Sequence, residues 1–397
     1  MVASILNRTR NALLYASVPL LSLAAALAVG SLLLVALKAD IGAALTALIT
    51  GAFGTQNATA ETLVKAIPML FVAIGICVAF RASVTNIGGE GQMIAGALAG
   101  VTAALALNGA PGIVIIGGSL VAGFLAGALY GGLAGFLKAA FNVNEILSTI
   151  MLNQIAVQIM NFLLNGPLLD PAVAGSNNIP KTARIAAEAQ LPRLAFPLPD
   201  GTMLFERTRL HFGLIIAIAL AALIFVLLWR TPLGFRIRAV GYNERAARYA
   251  GINVRRQVIL AMFIAGGCAG LAGVVQVLGL QYRLQTDGSA TGFTGNAGFN
   301  GIVAALFGGL NPFGAIPASI FFGGLLVGAQ NMQRDLGIPA SLITALNGII
   351  VMFVVGGQYF QRRRIGRQKQ PTESGSASAE PRTPAATSTA TAVKQEA

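Results

Sequence analysis

Apolar runs of about twenty residues, separated by short polar or basic stretches, recur along this chain. A helix needs roughly 20 such residues to cross a hydrocarbon core of about 30 Å. The runs fall at Ala16–Leu37, Thr62–Phe80, Ile87–Leu107, Ile113–Leu137, Glu145–Asn165 and Phe212–Trp229. Further runs are Val258–Leu280, Phe299–Leu310, Phe313–Asn331 and Ile338–Gly356. The pattern predicts an all-α polytopic membrane protein with about ten segments. Phe299–Leu310 is too short to cross alone and is expected as a broken or re-entrant piece, tolerated only where protein or a cavity surrounds it. Arg8 and Arg10 precede the first run and would also suit a signal peptide. The length of that run, and the spans that follow, favour a retained helix.

Composition sharpens this picture. Charged residues are 10% of the chain, against roughly 25% in soluble domains, too few to cover a soluble surface. Hydrophobic residues are 55% and Gly numbers 48, with a mean hydropathy of +0.73. Such a chain is too apolar for disorder, and its small residues suit close packing of membrane helices. A net charge of +13 on a soluble protein would suggest nucleic acid. Here the basic residues lie between apolar runs, so membrane lipid is the expected surrounding and no nucleic-acid partner is expected. Charge instead sets orientation, because Lys and Arg stay cytoplasmic. The 230–257 loop carries Arg230, Arg236, Arg238, Arg245, Arg248, Arg255 and Arg256 against Glu244, and Arg362, Arg363 and Arg364 follow the last run. Both regions, and residues 1–15, are therefore expected inside. The Pro-rich 166–211 loop is expected outside as an ordered cap. The membrane domain spans 16–360, and 361–397 has the Ser, Thr, Ala and Pro content of a disordered tail.

Chemistry of its own is not expected. The chain has no GxxxxGK[ST] motif and a single histidine, His211, so it offers neither an ATP-binding P-loop nor a His-based metal cluster. His211 is expected at a membrane interface. Cys77 and Cys268 lie in apolar runs as packing residues. The ladder Ser119, Gly123, Gly127, Gly131, Gly135 puts small residues on one helix face for close approach of a neighbour. Polar residues inside the runs are more informative. One set is Asn86, Glu90 and Gln92, among glycines that would let a helix break. A carboxylate at a helix centre costs roughly 2.5–3.5 kcal/mol, so Glu90 needs a cavity, a partner or an interface. A second set is Asn144, Glu145, Ser148, Thr149, Asn153, Gln154 and Gln158; a third is Gln276, Gln281, Asn296 and Asn300. Each set suits either a polar path for solute or hydrogen bonding between helices. In the basic loop, Glu244–Tyr249 can form a short helix with Asn243 as N-cap and Gly251 near its end. Charge alone leaves that loop a solvated surface.

The order Glu244-x-Ala246-Ala247-x-x-x-Gly251 resembles the coupling motif of permease subunits of bacterial ABC importers. The stretch Leu233–Gly251 resembles the branched-chain amino acid, ribose and nucleoside permease superfamily. So do Asn86-Ile-Gly-Gly-Glu-Gly-Gln-Met93, Asn144–Asn153, Gly298–Leu306 and Asn311-Pro-Phe-Gly314. The resemblance covers about Thr62–Gly356 and is nearest the simple-sugar/nucleoside branch, whose receptors are basic-membrane-protein lipoproteins. The family commonly has Ala where this chain has Gly89.

The resemblance implies a bacterial inner-membrane permease with cytoplasmic termini, importing nucleosides or related nucleobase compounds, or else a pentose or other simple sugar. It implies an ABC ATPase partner that holds ATP and Mg, a second permease subunit of different sequence, and an extracytoplasmic solute-binding receptor. This chain itself would bind no cofactor. Asn243, Glu244, Ala246, Ala247 and Gly251 would dock the ATPase. Asn86, Glu90, Gln92, Asn144, Glu145, Asn153, Gln276 and Asn300 would line the path. Ile74–Gly100 and Met262–Gly309 share a layout that suggests an inverted repeat. Two rivals remain: an ion-coupled secondary transporter using Glu90 or Glu145, and a non-transporting membrane scaffold.

Overall fold

The computed structural model describes residues 40–173, 179–197 and 203–338, with scattered positions in the flanking apolar runs. The expected spans Ala16–Leu37 and Ile338–Gly356, residues 1–15 and the tail 361–397 lie wholly or almost wholly outside the described residues. The described helices are α1 (Ile41–Phe53), α2 (Gln56–Arg81), α3 (Gly89–Ala106), α4 (Gly112–Phe141), α5 (Glu145–Leu164) and α6 (Gly213–Arg230). They continue as α7 (Pro232–Tyr242), α8 (Glu244–Tyr249), α9 (Val254–Gln276), α10 (Ala290–Thr294), α11 (Ala297–Phe307) and α12 (Pro312–Leu336). A π-helical turn, Val277–Gln281, extends α9. The described sheet is one hairpin, Phe196–Pro197 with Met203–Leu204, inside the cap.

Among the described residues six helices are long and apolar enough to cross a membrane: α2, α4, α5, α6, α9 with its π turn, and α12. Two further expected segments, α3 and α11, do not start at an edge of the helical body. α2 spans about 39 Å at 1.5 Å per residue, and Val72 lies about 14 Å from its Arg81 end. A Cβ on Gly89 would sit 3.2 Å from Val72 Cγ1, and one on Gly301 would sit 2.7 Å from the same side chain. Both helices thus begin near the middle depth of α2. Residues between Arg81 and Gly89 are non-helical and return the chain to that depth, with Ala82, Val84 and Asn86 buried.

α2 and α9 form the buried centre. α4 crosses α9 through the small-residue ladder: a Cβ on Gly131 would sit 2.6 Å from the Met262 carbonyl oxygen. α12 and α11 pack on α2, as α4 and α3 pack on α9. The two long central helices, α2 and α9, thus share one packing pattern, each carrying a shorter and a longer neighbour.

α1 was not expected from the apolar runs. It is only thirteen residues, started by Asp40, whose carboxylate accepts from the Gly42 and Ala43 N–H groups. Ala44, Ala47 and Gly51 bury its small face against α12. The cap following α5 and the basic segment following α6 lie at opposite ends of the helices. At the cap end Arg209 grips Glu61 with two hydrogen bonds of 2.7 and 2.6 Å. At the other end the Ser83 hydroxyl donates to the Gly241 carbonyl at 2.7 Å.

Candidate functional site

The starts of α3 and α11 meet at mid-depth. A helix start leaves backbone N–H groups without partners. Asn296 precedes α11 in a left-handed conformation and makes no capping bond. Glu90, from the first turn of α3, supplies the missing acceptor: the Phe299 N–H donates to Glu90 Oε1 at 3.2 Å. Thr294 lies beside the same carboxylate. The two positive helix ends also favour a negative group between them. Gly298 makes the approach possible, because a Cβ there would sit 2.6 Å from the Glu90 backbone nitrogen. Glu90 is 6% exposed.

The rest of the first polar set closes on itself. Asn86 and Gln92 exchange two amide hydrogen bonds of 3.0 Å, and Asn86 also accepts from the Gly88 N–H. Asn153 of α5 accepts from the Gly91 N–H at 2.8 Å and donates to the Ile87 carbonyl at 3.0 Å. These buried amides hold the non-helical turn before α3. Asn144 and Glu145 lie apart from it. Asn144 caps α5 by accepting from Ile146 and Leu147; Glu145 pairs with Lys138 at 3.0 Å. Gln276 donates to the Phe293 carbonyl at 2.5 Å, holding α10 against α9. Asn300 is half-buried on α11 and makes no side-chain hydrogen bond with the described residues. Beside it Phe299 is 54% exposed. On α5, which flanks the start of α3 from the other side, Gln154 and Gln158 are exposed. Two glutamines on a spanning helix are costly against lipid, so this face suits a partner or water.

The Asn243–Gly251 segment has the local structure its sequence predicts. Asn243 accepts from the Ala246 N–H at 3.0 Å and starts α8. Gly251 has φ +76°. Its N–H reaches the Arg248 carbonyl and the Ile252 N–H reaches that of Ala247, both at 3.0 Å. That pair of bonds is a Schellman ending, which favours glycine at the left-handed position. Glu244 bonds Arg248 one turn on at 2.8 Å, both exposed. Ala246 is exposed and Ala247 buried. Tyr242 and Tyr249 are 80% and 94% exposed, large aromatic anchors of the sort found at protein interfaces.

Sequence reasoning missed three features. Arg81 lies just beyond the Thr62–Phe80 run. Its guanidinium donates to the Leu310 carbonyl at 3.2 Å and lies 5.3 Å from the Trp229 ring centre, with Arg238 5.9 Å from the same ring. It therefore joins the ends of α2, α6, α7 and α11. Lys65 passed unnoticed within an apolar average; its position three before Pro68 was the available signal. His211, just before α6, is buried between Gly213 and Gly279. Burial pushes its imidazole down to about 4, and its Nδ1 accepts from the Gly213 N–H at 3.2 Å. Among the described residues no group of three or more His, Cys, Asp or Glu could hold a metal ion.

Residues 58–355 match the family described as branched-chain amino acid transport system / permease component. The chain is 33% identical to the guanosine ABC transporter permease NupP of Bacillus subtilis, over 89% of this chain and 96% of that protein. It is 33% identical to the glucose ABC transporter permease TsgB13 of Haloferax volcanii, over 91% and 92%. It is 31% identical to the nucleoside ABC transporter permease NupB of Lactococcus lactis, over 88% and 92%. No solved structure matches the chain.

Proposed function

The chain belongs to the branched-chain amino acid transport system permease family, and on that premise we propose that it imports nucleosides or related nucleobase compounds. It is a multi-pass membrane subunit of an ABC transporter, not an enzyme, and ATP hydrolysis belongs to a partner ATPase. The observation that carries the importer mechanism is the tie between two places. The mid-depth junction of α3 and α11 connects, through Arg81 and Leu310, to the segment carrying α7 and α8.

The ATPase, closing on ATP and Mg, pushes α8. Asn243, Glu244, Ala246, Ala247 and Gly251 shape that contact, with Tyr242 and Tyr249 as its aromatic rim. The Gly241 carbonyl is held by Ser83, so the push reaches the end of α2. Arg81 passes it to the joint between α11 and α12. α11 then shifts against α3 about Glu90 and Gly298. Asn86, Gln92 and Asn153 keep the start of α3 rigid, and Asn144 and Glu145 fix the start of α5. Solute meets the groups left unsatisfied, Asn300, Gln154 and Gln158, with Gln276 behind them. A second permease of different sequence covers that face, and an extracytoplasmic receptor delivers solute at the cap end. The basic segment and both termini are cytoplasmic, in a bacterial inner membrane.

Nucleosides are favoured because two of the relatives named above carry guanosine or nucleoside in their names. A simple sugar is the second reading, favoured by the glucose permease at equal identity. The test is uptake of labelled guanosine and glucose by cells that lack their own nucleoside uptake and express the whole transporter. ATP-dependent guanosine entry that Glu244→Lys abolishes is expected. Glucose entry without guanosine entry would overturn the cargo. Uptake that survives ATP depletion on an ion gradient would overturn the ABC mechanism.

A further inference from the structure

We propose that a cavity on the cap side of the helix break is a nucleobase-binding subsite, in which Lys65 and Gln281 hydrogen-bond the edge of the ring. The inference rests on the nucleoside reading above and adds to it a location and a set of contacts.

The cavity has a volume of ≈ 150 Å³ and lies between α2, the π turn, the α10–α11 joint and His211 of the cap. A water needs roughly 10–15 Å³ of such space, so it holds about ten, the bulk of a bicyclic nucleobase. Its polar groups are built in and unspent. Lys65 has no acidic partner among the described residues; Glu61, one turn earlier, is held by Arg209. An unpaired lysine inside a spanning helix is costly and marks a polar path. Gln281 Oε1 is buried with no hydrogen-bond partner. Pro68 interrupts α2 and has no N–H to give the Val64 carbonyl; both residues line the cavity. His211 accepts at Nδ1, so its neutral ring carries the proton on Nε2 and adds a donor.

Lys65 and His211 thus donate, while Gln281 and the Val64 carbonyl accept. A base with a ring carbonyl beside N–H or amino groups presents the complementary set. Phe293, Leu280 and Leu326 supply apolar wall for the faces of such a ring. The location also suits transport: Thr294 lines the cavity and lies beside Glu90. A ring held here sits directly on the α3–α11 junction.

The experiment is photolabelling with 8-azidoguanosine in membranes from cells making the whole transporter, with guanosine uptake measured in the same cells. Label is expected in peptides containing Lys65 or Gln281–Phe293, competed by guanosine but not by equal ribose or glucose. Lys65→Met and Gln281→Leu are each expected to cut it about tenfold at unchanged chain level. Gln281→Asn, which keeps the amide but shortens it, covers the case where Leu disturbs folding. Guanosine uptake with label undiminished in these variants, or placed elsewhere, overturns the subsite alone. Equal competition by ribose or glucose overturns the ligand class. Absence of guanosine uptake in the wild type overturns the nucleoside reading, and this inference with it.

Discussion

Replacing Glu90 separates a structural acceptor from an ion-coupling carboxylate. Glu90→Gln keeps an oxygen where Glu90 Oε1 accepts from the Phe299 N–H. A hydrogen bond to a charged group contributes about 1.5–3 kcal/mol, against about 0.5–1.5 kcal/mol for a neutral one. The exchange therefore loses about 1 kcal/mol, and the two helix ends add a further 0.3–1 kcal/mol or so. Against this, a neutral amide avoids the roughly 2.5–3.5 kcal/mol of placing a charge at membrane depth. The balance is about 0.5–2 kcal/mol in favour of the amide, so Glu90→Gln should be at least as stable as the parent and retain most uptake. Glu90→Ala has no such compensation. It leaves a part-buried N–H unsatisfied, at about 1–3 kcal/mol, and opens a void at the junction. The order expected in an SDS-unfolding titration of detergent-solubilised chain is Gln level with or slightly above the parent, and Ala well below both. Glutamine as damaging to uptake as alanine, with the chain still folded, would refute the capping argument and support proton or cation coupling. An alanine variant with unchanged stability would refute it equally.

Further perturbations have equally definite outcomes. Glu244→Lys breaks only an exposed helix pair with Arg248, worth about 0.3–0.5 kcal/mol, so folding should survive while ATP-driven uptake and ATPase co-purification fall; normal uptake would count against the coupling role. Asn243→Ala removes the N-cap of α8, at about 1 kcal/mol, and should weaken ATPase co-purification without altering the yield of chain. His211 is held neutral, with its pKa down from 6.5 to about 4. Its contribution is whole above about pH 6.5 and drains away as pH falls towards 4, by roughly 3 kcal/mol. His211→Gln should flatten that part of the stability–pH curve, and an unchanged slope would contradict the burial. Gly298→Ala places a Cβ 2.6 Å from the Glu90 backbone nitrogen and should cost about 1–3 kcal/mol, read as a lower unfolding midpoint and lost uptake.

The apolar runs located the long helices because twenty-residue averages report lipid-crossing length directly. The Asn243–Gly251 segment was equally legible, since a cap, a short helix and a left-handed glycine are all local signals. α1 escaped because thirteen residues starting from Asp40 fall short of a spanning average, and its burial comes from α12, far along the chain. The polar set before α3 was visible, but its arrangement was not. Asn86 pairs with Gln92 within the turn, whereas Asn153 reaches it from another helix. Only three-dimensional contact shows that these amides satisfy one another while Asn300 and Gln281 stay unspent. Arg81, just after an apolar run, and Lys65, inside it, gave no local signal because their surroundings come from residues distant in sequence.

The bond from Phe299 to Glu90 joins residues 209 apart in sequence, which has a consequence for biosynthesis. At about 5–20 residues per second, Glu90 leaves the ribosome roughly 10–40 s before the backbone that caps it exists. Asn86 and Gln92 emerge with it, and Asn153 soon after, so the start of α3 is braced while its carboxylate still waits. Until α11 arrives, the nascent membrane domain carries an acidic group without its receiving helix. The second half of the chain thus completes the first, as an intramolecular chaperone would. Truncations before Ala297 should leave insertion intermediates that membrane proteases clear, and supplying the missing half as a separate polypeptide should protect them.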